Sequence, residues 1–285
     1  MMGKITKIEW TDATWNPWYG CTPVSEGCRN CYAKRNWRLL GLKPGEVRRA
    51  KDETFYAPLK WKEPKRIMVC SLSDFFHPGA DSARYETLRI MNSCACHTFI
   101  IVTKHSERLV NVLYEYNGRY YGFGDSSPYI WFLATVENQE MADKRIPELL
   151  ELRKYGKWPV LGVSVEPMLG EIDITDYLQP EWVDDPKRKP SRLDWVICGG
   201  ESGPNARPCH PDWVRSLRDQ CVAAGVPFFF KQWGDWLPLH NLLVNVPSIK
   251  GKLWYNFDPD TTVCKVGKKV AGRLLDGREW KEYPK

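Results

Sequence analysis

The sequence has no long hydrophobic run. Its longest nearly unbroken apolar stretch, 129–136, falls far short of the roughly 20 residues that a membrane-spanning helix needs. The N-terminal stretch lacks the apolar core of a secretory signal, so a cytoplasmic protein with no membrane partner is expected. No G-x-G-x-x-G fingerprint is present, which removes the usual dinucleotide-binding signature. A charged fraction of 27% beside 43% hydrophobic residues excludes a disordered or fibrous chain. A chain of 285 residues buries about three-quarters of its unfolded surface, so it has no need of disulfides.

Ten cysteines therefore call for another explanation. Disulfides are disfavoured in a reduced compartment, and most free cysteines act as small buried apolar residues. Cys70 and Cys198 lie in strand-like runs and fit that description. Cys21, Cys28 and Cys31 crowd into one short segment and do not. Charge is also uneven. Between positions 29 and 66, twelve Lys or Arg face four Asp or Glu, a surplus of +8, so the rest of the chain sums to −2. A basic patch attracts phosphate and points to nucleic acid or a nucleotide, whereas a solvated helix face is the plainer reading; both stay open. The 14 Trp, 13 Tyr and 10 Phe are equally two-sided, since rings stack on bases or wall a core.

Short β-rich runs at 67–72, 98–103, 129–136, 160–165, 193–198 and 227–230 are nearly continuous in apolar residues, as strands buried on both faces should be. Helical stretches are predicted at 82–96, 107–116, 140–155 and 212–224, the last with Asp212 as N-cap and Gly225 beyond its end. Strands alternating with helices imply a parallel sheet and an α/β fold. Each strand ends in polar residues: Ser71, Ser73 and Asp74; Thr103, Lys104 and His105; Glu137 and Asn138; Ser164 and Glu166; Glu201 and Ser202; Lys231 and Gln232. Such a rim suits a partial (β/α) barrel of six to seven parallel strands, whose active site lies at the carboxyl ends. Residues 1–235 make that barrel in this reading. Residues 236–285 form a small C-terminal extension packed on it. Loops are expected at 118–128 and 179–192, the second as a lid or exposed insert. The segment Gly199-Gly200-Glu201 is either a turn or a place where backbone approaches a phosphate or carboxylate.

The sharpest signal is the C-x6-C-x2-C spacing of Cys21, Cys28 and Cys31. Three thiolates on one loop suit a soft metal. A structural zinc site takes four ligands, so His77, His105 or another cysteine would have to complete it. A [4Fe-4S] cluster held by three cysteines keeps one iron open. Pro23 and Gly27 let the loop wrap a cluster, and Arg29, Lys34 and Arg35 offset its negative charge.

This motif in the first loop of a β/α barrel resembles the radical S-adenosylmethionine (SAM) superfamily. More closely, the chain resembles a phage- and prophage-associated family of radical-SAM-like proteins. The matching stretches are IEWTDATWNPWYGCTPVSEGCRNCYA, SLSDFFHP, TVENQ, SVEPMLG, DWVICGGESGPNARP, FFFKQWG and GRLLDGREW. The resemblance implies that Cys21, Cys28 and Cys31 hold a [4Fe-4S] cluster whose open iron takes SAM. Reduction by an external electron donor then gives a 5′-deoxyadenosyl radical. The superfamily's common first gap is three residues, not six, and its Gly-Gly-Glu stretch follows the second strand, where this chain has Ser71, Ser73 and Asp74. The cofactor-binding candidates are Ser71, Ser73, Asp74, Lys104, Glu137, Asn138, Ser164, Glu166 and Glu201. Asp74 stands in for the missing glutamate, Asn138 orients the ribose, and Lys104 and Lys231 suit a carboxylate or phosphate. The leading expectation is an enzyme that modifies a nucleic-acid base or nucleotide, in a phage setting DNA. A metal-stabilised nucleic-acid-binding protein without catalysis is the alternative, and a peptide or small metabolite is a third substrate class.

Overall fold

A computed structural model of the chain describes residues 6, 8–115, 127–156, 158–180, 191–239 and 249–285. The strands are β1 Ala13–Trp15, β2 Trp18–Tyr19, β3 Arg48–Arg49, β4 Arg66–Val69, β5 Thr98–Thr103, β6 Ile130–Thr135, β7 Val160–Val165, β8 Trp195–Gly199, β9 Phe228–Gln232, β10 Trp236–Pro238, β11 Trp254–Asn256 and β12 Thr262–Lys265. The α-helices are α1 Ala33–Leu39, α2 Asp52–Phe55, α3 Asp81–Ser93, α4 Gln139–Leu150, α5 Thr175–Leu178, α6 Pro211–Ala224 and α7 Lys268–Ala271. Seven strands form one parallel half-barrel sheet in the order β1-β4-β5-β6-β7-β8-β9. Among the described residues no helix is long and apolar enough to cross a membrane.

Alternation along each strand sorts side chains onto two faces. Ile67, Val69, Phe99, Ile101, Phe132, Leu161, Val163, Val196 and Phe228 point outward into the main core. Helices cover that face with residues at helical spacing: Ala142, Ile146 and Leu149 of α4, and Val214, Leu217 and Cys221 of α6. The inner face carries a second cluster of Trp10, Ile100, Leu133, Val160, Trp195, Ile197 and Phe229. Trp195 meets Trp10 and Trp131 edge-on, with centroids 6.1 and 5.9 Å apart. This aromatic floor fills the half-barrel near the amino ends of the strands. Lysine, serine and glutamate side chains line the inner face at the carboxyl ends.

The sheet leaves two edges, and segments from both ends of the chain close the gap between them. Residues near 281 add to β9: the Phe230 N–H donates to Trp280 O at 2.9 Å and the Glu282 N–H to Phe228 O at 3.2 Å. Tyr283 packs on Trp195 at 5.4 Å, and Arg66 of β4 lies 4.4 Å over the Tyr283 ring. Arg273 bridges to Glu9 at 2.6 Å. An exposed strand edge is thereby covered. Strands β10, β12 and β11 make a small antiparallel sheet within the C-terminal segment.

Several boundaries differ from the sequence reading. Strand β1 was not expected; it has three residues beside Pro17, too short for a periodic signal. The helix predicted at 107–116 is a 3-10 turn, Ser106–Arg108, followed by a π-helix, Asn111–Glu115. Asp212 is not the N-cap of α6. His210 takes that place, its Nδ1 accepting from the Asp212 N–H at 3.1 Å, because Pro211 fills the first helical position. Gly225 ends α6 at φ 64°, as expected. The proposed loops at 118–128 and 179–192 fall mostly outside the described residues.

Glycine at 162 is demanded by its neighbour. A Cβ there would lie 2.5 Å from Trp195 O on the adjoining strand. Gly162→Ala should therefore destabilise the protein by about 1–3 kcal/mol through overpacking. A lowered urea midpoint at unchanged m-value is the expected readout.

Candidate functional site

The loop bearing Cys21, Cys28 and Cys31 runs from β2 to α1 and lies across the carboxyl ends of the sheet. Two buried carboxylates hold it. Glu137, just past β6, is fully buried. Its Oε1 accepts from the Gly27 N–H at 3.1 Å, and its Oε2 from Arg145 of α4 at 2.9 Å. A Cβ on residue 27 would come within 2.9 Å of that Oε1, so glycine is what lets the loop settle there. Glu201, just past β8, accepts from the Asn30 side chain at 3.0 Å and from the Arg207 guanidinium at 2.7 and 2.9 Å. Arg207 continues to Glu26 at 3.2 Å. Charge-assisted bonds of this kind are the strong ones, and here both end on the cysteine loop.

Smaller contacts finish the anchoring. Ser73 Oγ donates to Gly20 O at 2.5 Å, Tyr32 OH to Ser71 O at 2.6 Å, and Trp37 Nε1 to Leu72 O at 2.7 Å. Ser71 Oγ exchanges hydrogen bonds with the Asn16 amide. His77 accepts from the Gly79 N–H through Nδ1 at 3.0 Å, which leaves Nε2 to donate to Thr22 Oγ1 at 2.9 Å. Burial lowers the pKa of His77, helped by the neighbouring His105.

All three thiols line one cavity of about 500 Å³, and all are free. Burial pushes the Cys21 thiol up to about 12, with Asp74, Cys28 and Cys31 adding to the rise. Burial also raises Cys31, while the Ala33 N–H and nearby Lys104 pull the other way. Cys70 lines the same cavity from the end of β4, at φ 62°, and burial raises its pKa too. Among the described residues, no three His, Cys, Asp or Glu converge on a point that one ion could occupy. An iron–sulfur cluster imposes no such convergence, because each thiolate meets a different iron.

The cavity wall below the thiols is the polar layer of the inner face. Lys231 Nζ donates to Glu166 Oε1 at 2.6 Å, and Ser164 Oγ to Glu166 Oε2 at 3.2 Å. Glu166 and Lys231 follow from strands two apart. They meet because Gly199 lies between them without a side chain; a Cβ there would be 3.0 Å from Glu166 Oε1. Gly200 is a different case, since its ideal Cβ would overlap Trp233 O at 2.0 Å. The Gly-Gly pair thus serves two close approaches within the protein.

The cavity brings together Ser71, Ser73, Asp74, Lys104, Ser164, Glu166 and Glu201 with the three cysteines. It does not include Glu137 or Asn138. Glu137 grips the loop from beneath, and Asn138 caps α4 by accepting from the Met141 N–H at 3.0 Å. Asp74 is already committed: Thr103 Oγ1, the Lys104 N–H and the Phe76 N–H donate to it at 2.7, 2.8 and 2.9 Å. His105 lines the cavity, with Nδ1 directed to Glu107 at 3.0 Å and a buried Nε2 that meets no partner. The Glu107 contact raises its pKa against the effect of burial. Sequence reasoning missed Cys70, read as an ordinary strand residue, and Lys268, which nothing in its local sequence sets apart. It also missed Asn30 and Arg207 as anchors.

Removing the Glu137 carboxylate strands a buried guanidinium. Glu137→Ala should cost about 3–5 kcal/mol in urea unfolding and raise the alkylation rate of Cys28 in the still-folded protein. The thiol shifts give a second expectation. A Cys21 raised to about 12 on folding stabilises the metal-free fold at neutral pH, and that contribution fades as pH rises from the ordinary thiol range of about 8–9. Iodoacetamide should therefore modify Cys21 of metal-free folded protein only at markedly higher pH than in urea, as peptide mass mapping would read.

No curated protein matches the chain, and no solved structure does. The family model DUF5131, protein of unknown function, matches residues 5–284. With that match over nearly its whole length, the chain belongs to the DUF5131 family.

Proposed function

We propose that this protein is a radical-SAM-type enzyme acting on a nucleic-acid base or nucleotide, with a [4Fe-4S] cluster on Cys21, Cys28 and Cys31. The observation that carries the reading is that one loop aims three free thiols into a cavity at the carboxyl ends of a parallel half-barrel. That end of a barrel is where loops and strand termini assemble chemistry. The donor set fits a soft iron–sulfur centre, and Lys104 beside Cys31 offsets thiolate charge. A cavity of about 500 Å³ suits a cofactor-sized molecule.

A bound cluster would supply the electron that cleaves SAM and so a carbon radical for hydrogen abstraction from the substrate. The chain's own residues would do the rest. Glu166 and Lys231 offer a carboxylate and an ammonium to SAM's amino and carboxylate groups, and Ser164 orients Glu166. Trp10, Met68 and Val102 line the cavity with apolar surface that excludes water. Thr22, Pro23 and Val24 expose the loop's outer side to an electron donor. Arg29 on the cysteine loop and Arg35 and Arg38 on α1 are exposed, and such a basic surface would attract phosphodiesters.

Anaerobic purification followed by iron, sulfide and zinc analysis tests this directly. About four irons per chain are expected, absent from the Cys21/Cys28/Cys31→Ala variant, with the EPR signal of the reduced protein shifted by SAM. Stoichiometric zinc with no iron, even after reconstitution, would overturn the radical reading and leave a metal-stabilised nucleic-acid binder.

A further inference from the structure

The cavity's charges do not balance. Its carboxylates are all engaged. Asp74 is saturated by three donors, Glu201 is held by Arg207 and Asn30, and Glu166 is paired with Lys231. Lys34 turns its ammonium to Arg29 O at 2.8 Å. Two lining cations remain, Lys104 and Lys268, and neither has a carboxylate within ion-pair distance among the described residues. Lys104 neighbours Cys31 and so belongs with the thiols. Lys268 stands on the other wall, near Lys231 and Glu166.

Lys268 does not sit on a loose end. The turn after β9 is stapled by backbone hydrogen bonds to the residues that flank α7. Asp235 O accepts from the Val266 and Gly267 N–H groups at 2.9 and 3.0 Å, and the Trp233 N–H donates to Gly272 O at 3.0 Å. Beside it, Gln232 lines the cavity at 5% exposure. Its Nε2 donates to Ser202 Oγ at 3.1 Å, but among the described residues no donor meets its buried Oε1. The same cavity is thus lined by a lysine without an ion pair among the described residues and by an acceptor without a donor.

We propose that Lys268, with Gln232, forms a phosphate subsite that holds the nucleotide substrate against the wall formed by β9 and α7. This rests on the reading of the cavity as a nucleotide-handling site. The phosphate takes Lys268, and a hydroxyl or amine of the same nucleotide supplies the donor that Gln232 Oε1 lacks. Partial burial and the Lys231 ammonium lower the Lys268 pKa, while the carboxylates of Glu9, Glu166 and Asp235 pull it up. The acceptor explains why a nucleotide is favoured over a bare anion, since inorganic phosphate fills only half of the subsite.

Calorimetric titration of the purified protein with deoxyadenosine 5′-monophosphate, inorganic phosphate and a short single-stranded DNA tests the subsite. The mononucleotide or the DNA should bind, and Lys268→Gln should weaken that binding about tenfold or more, with Lys268→Glu worse. Lys269→Gln, which alters an exposed neighbour that does not line the cavity, should change it little. Tighter binding of DNA than of the mononucleotide would place the phosphate on a strand; equal binding would place it on a free nucleotide. Equal losses in the position-268 and position-269 variants, or no binding of any probe, would overturn the subsite. Iron measured on the same samples, and the titration repeated in the Cys21/Cys28/Cys31→Ala variant, keep the two readings apart. Lys268-dependent binding in the unaltered protein that takes up no iron on anaerobic reconstitution refutes only the radical chemistry. Iron that persists without Lys268-dependent binding refutes only the subsite.

Discussion

The buried carboxylate of Glu137 sets the position of everything above it. A charge with no solvent must be fully paired, and Glu137 meets that demand with one strong donor from α4 and one backbone N–H from the cysteine loop. The loop is thus tied to the rigid layer of strand and helix, not merely draped over it. Glu201 repeats the device from β8 with Arg207 and Asn30. Between the two anchors, the loop has little freedom to move the thiols apart or out of the cavity. A reactive group borne on a loop gains the precision of a scaffold element in this way.

Inside the half-barrel, polarity is layered along the strand axis. Tryptophan and aliphatic side chains fill the lower inner face, and lysine, serine and glutamate appear only where the strands end. The two requirements meet in the same strands because the pleat separates inner from outer residues and the strand end marks the change from apolar to polar. Gly199 shows how fine the fit is. One missing side chain on β8 lets groups from β7 and β9 form an ion pair across it. Ion pairs across two strands are otherwise out of reach, since neighbouring strands lie about 4.8 Å apart.

Much of this was legible beforehand. The six apolar runs stood out because strands buried on both faces lack polar interruptions, and their polar ends gave the rim. The three cysteines were legible from spacing alone. The roles of the acids were not. Glu137, Glu166 and Glu201 look alike in sequence, each following a strand, yet one grips the loop from below, one pairs across Gly199, and one binds Arg207. Which partner a carboxylate finds depends on contacts between residues far apart in the chain: Gly27 with Glu137, Asn30 with Glu201, Lys231 with Glu166. Lys268 was hidden for the same reason, since α7 reaches the cavity only through its backbone staple to Asp235. Strand β1 escaped notice because its pairing with β4, not its own three residues, makes it a strand.

The segment around Trp280 and Tyr283 completes the inner wall by joining β9 and packing on Trp195. On the ribosome that segment emerges well after β9. Until it does, the aromatic floor and the cysteine loop above it share an open side with the solvent around the nascent chain. A chain interrupted before that point would carry its thiols in an unfinished vessel, open to oxidants and to stray metal ions.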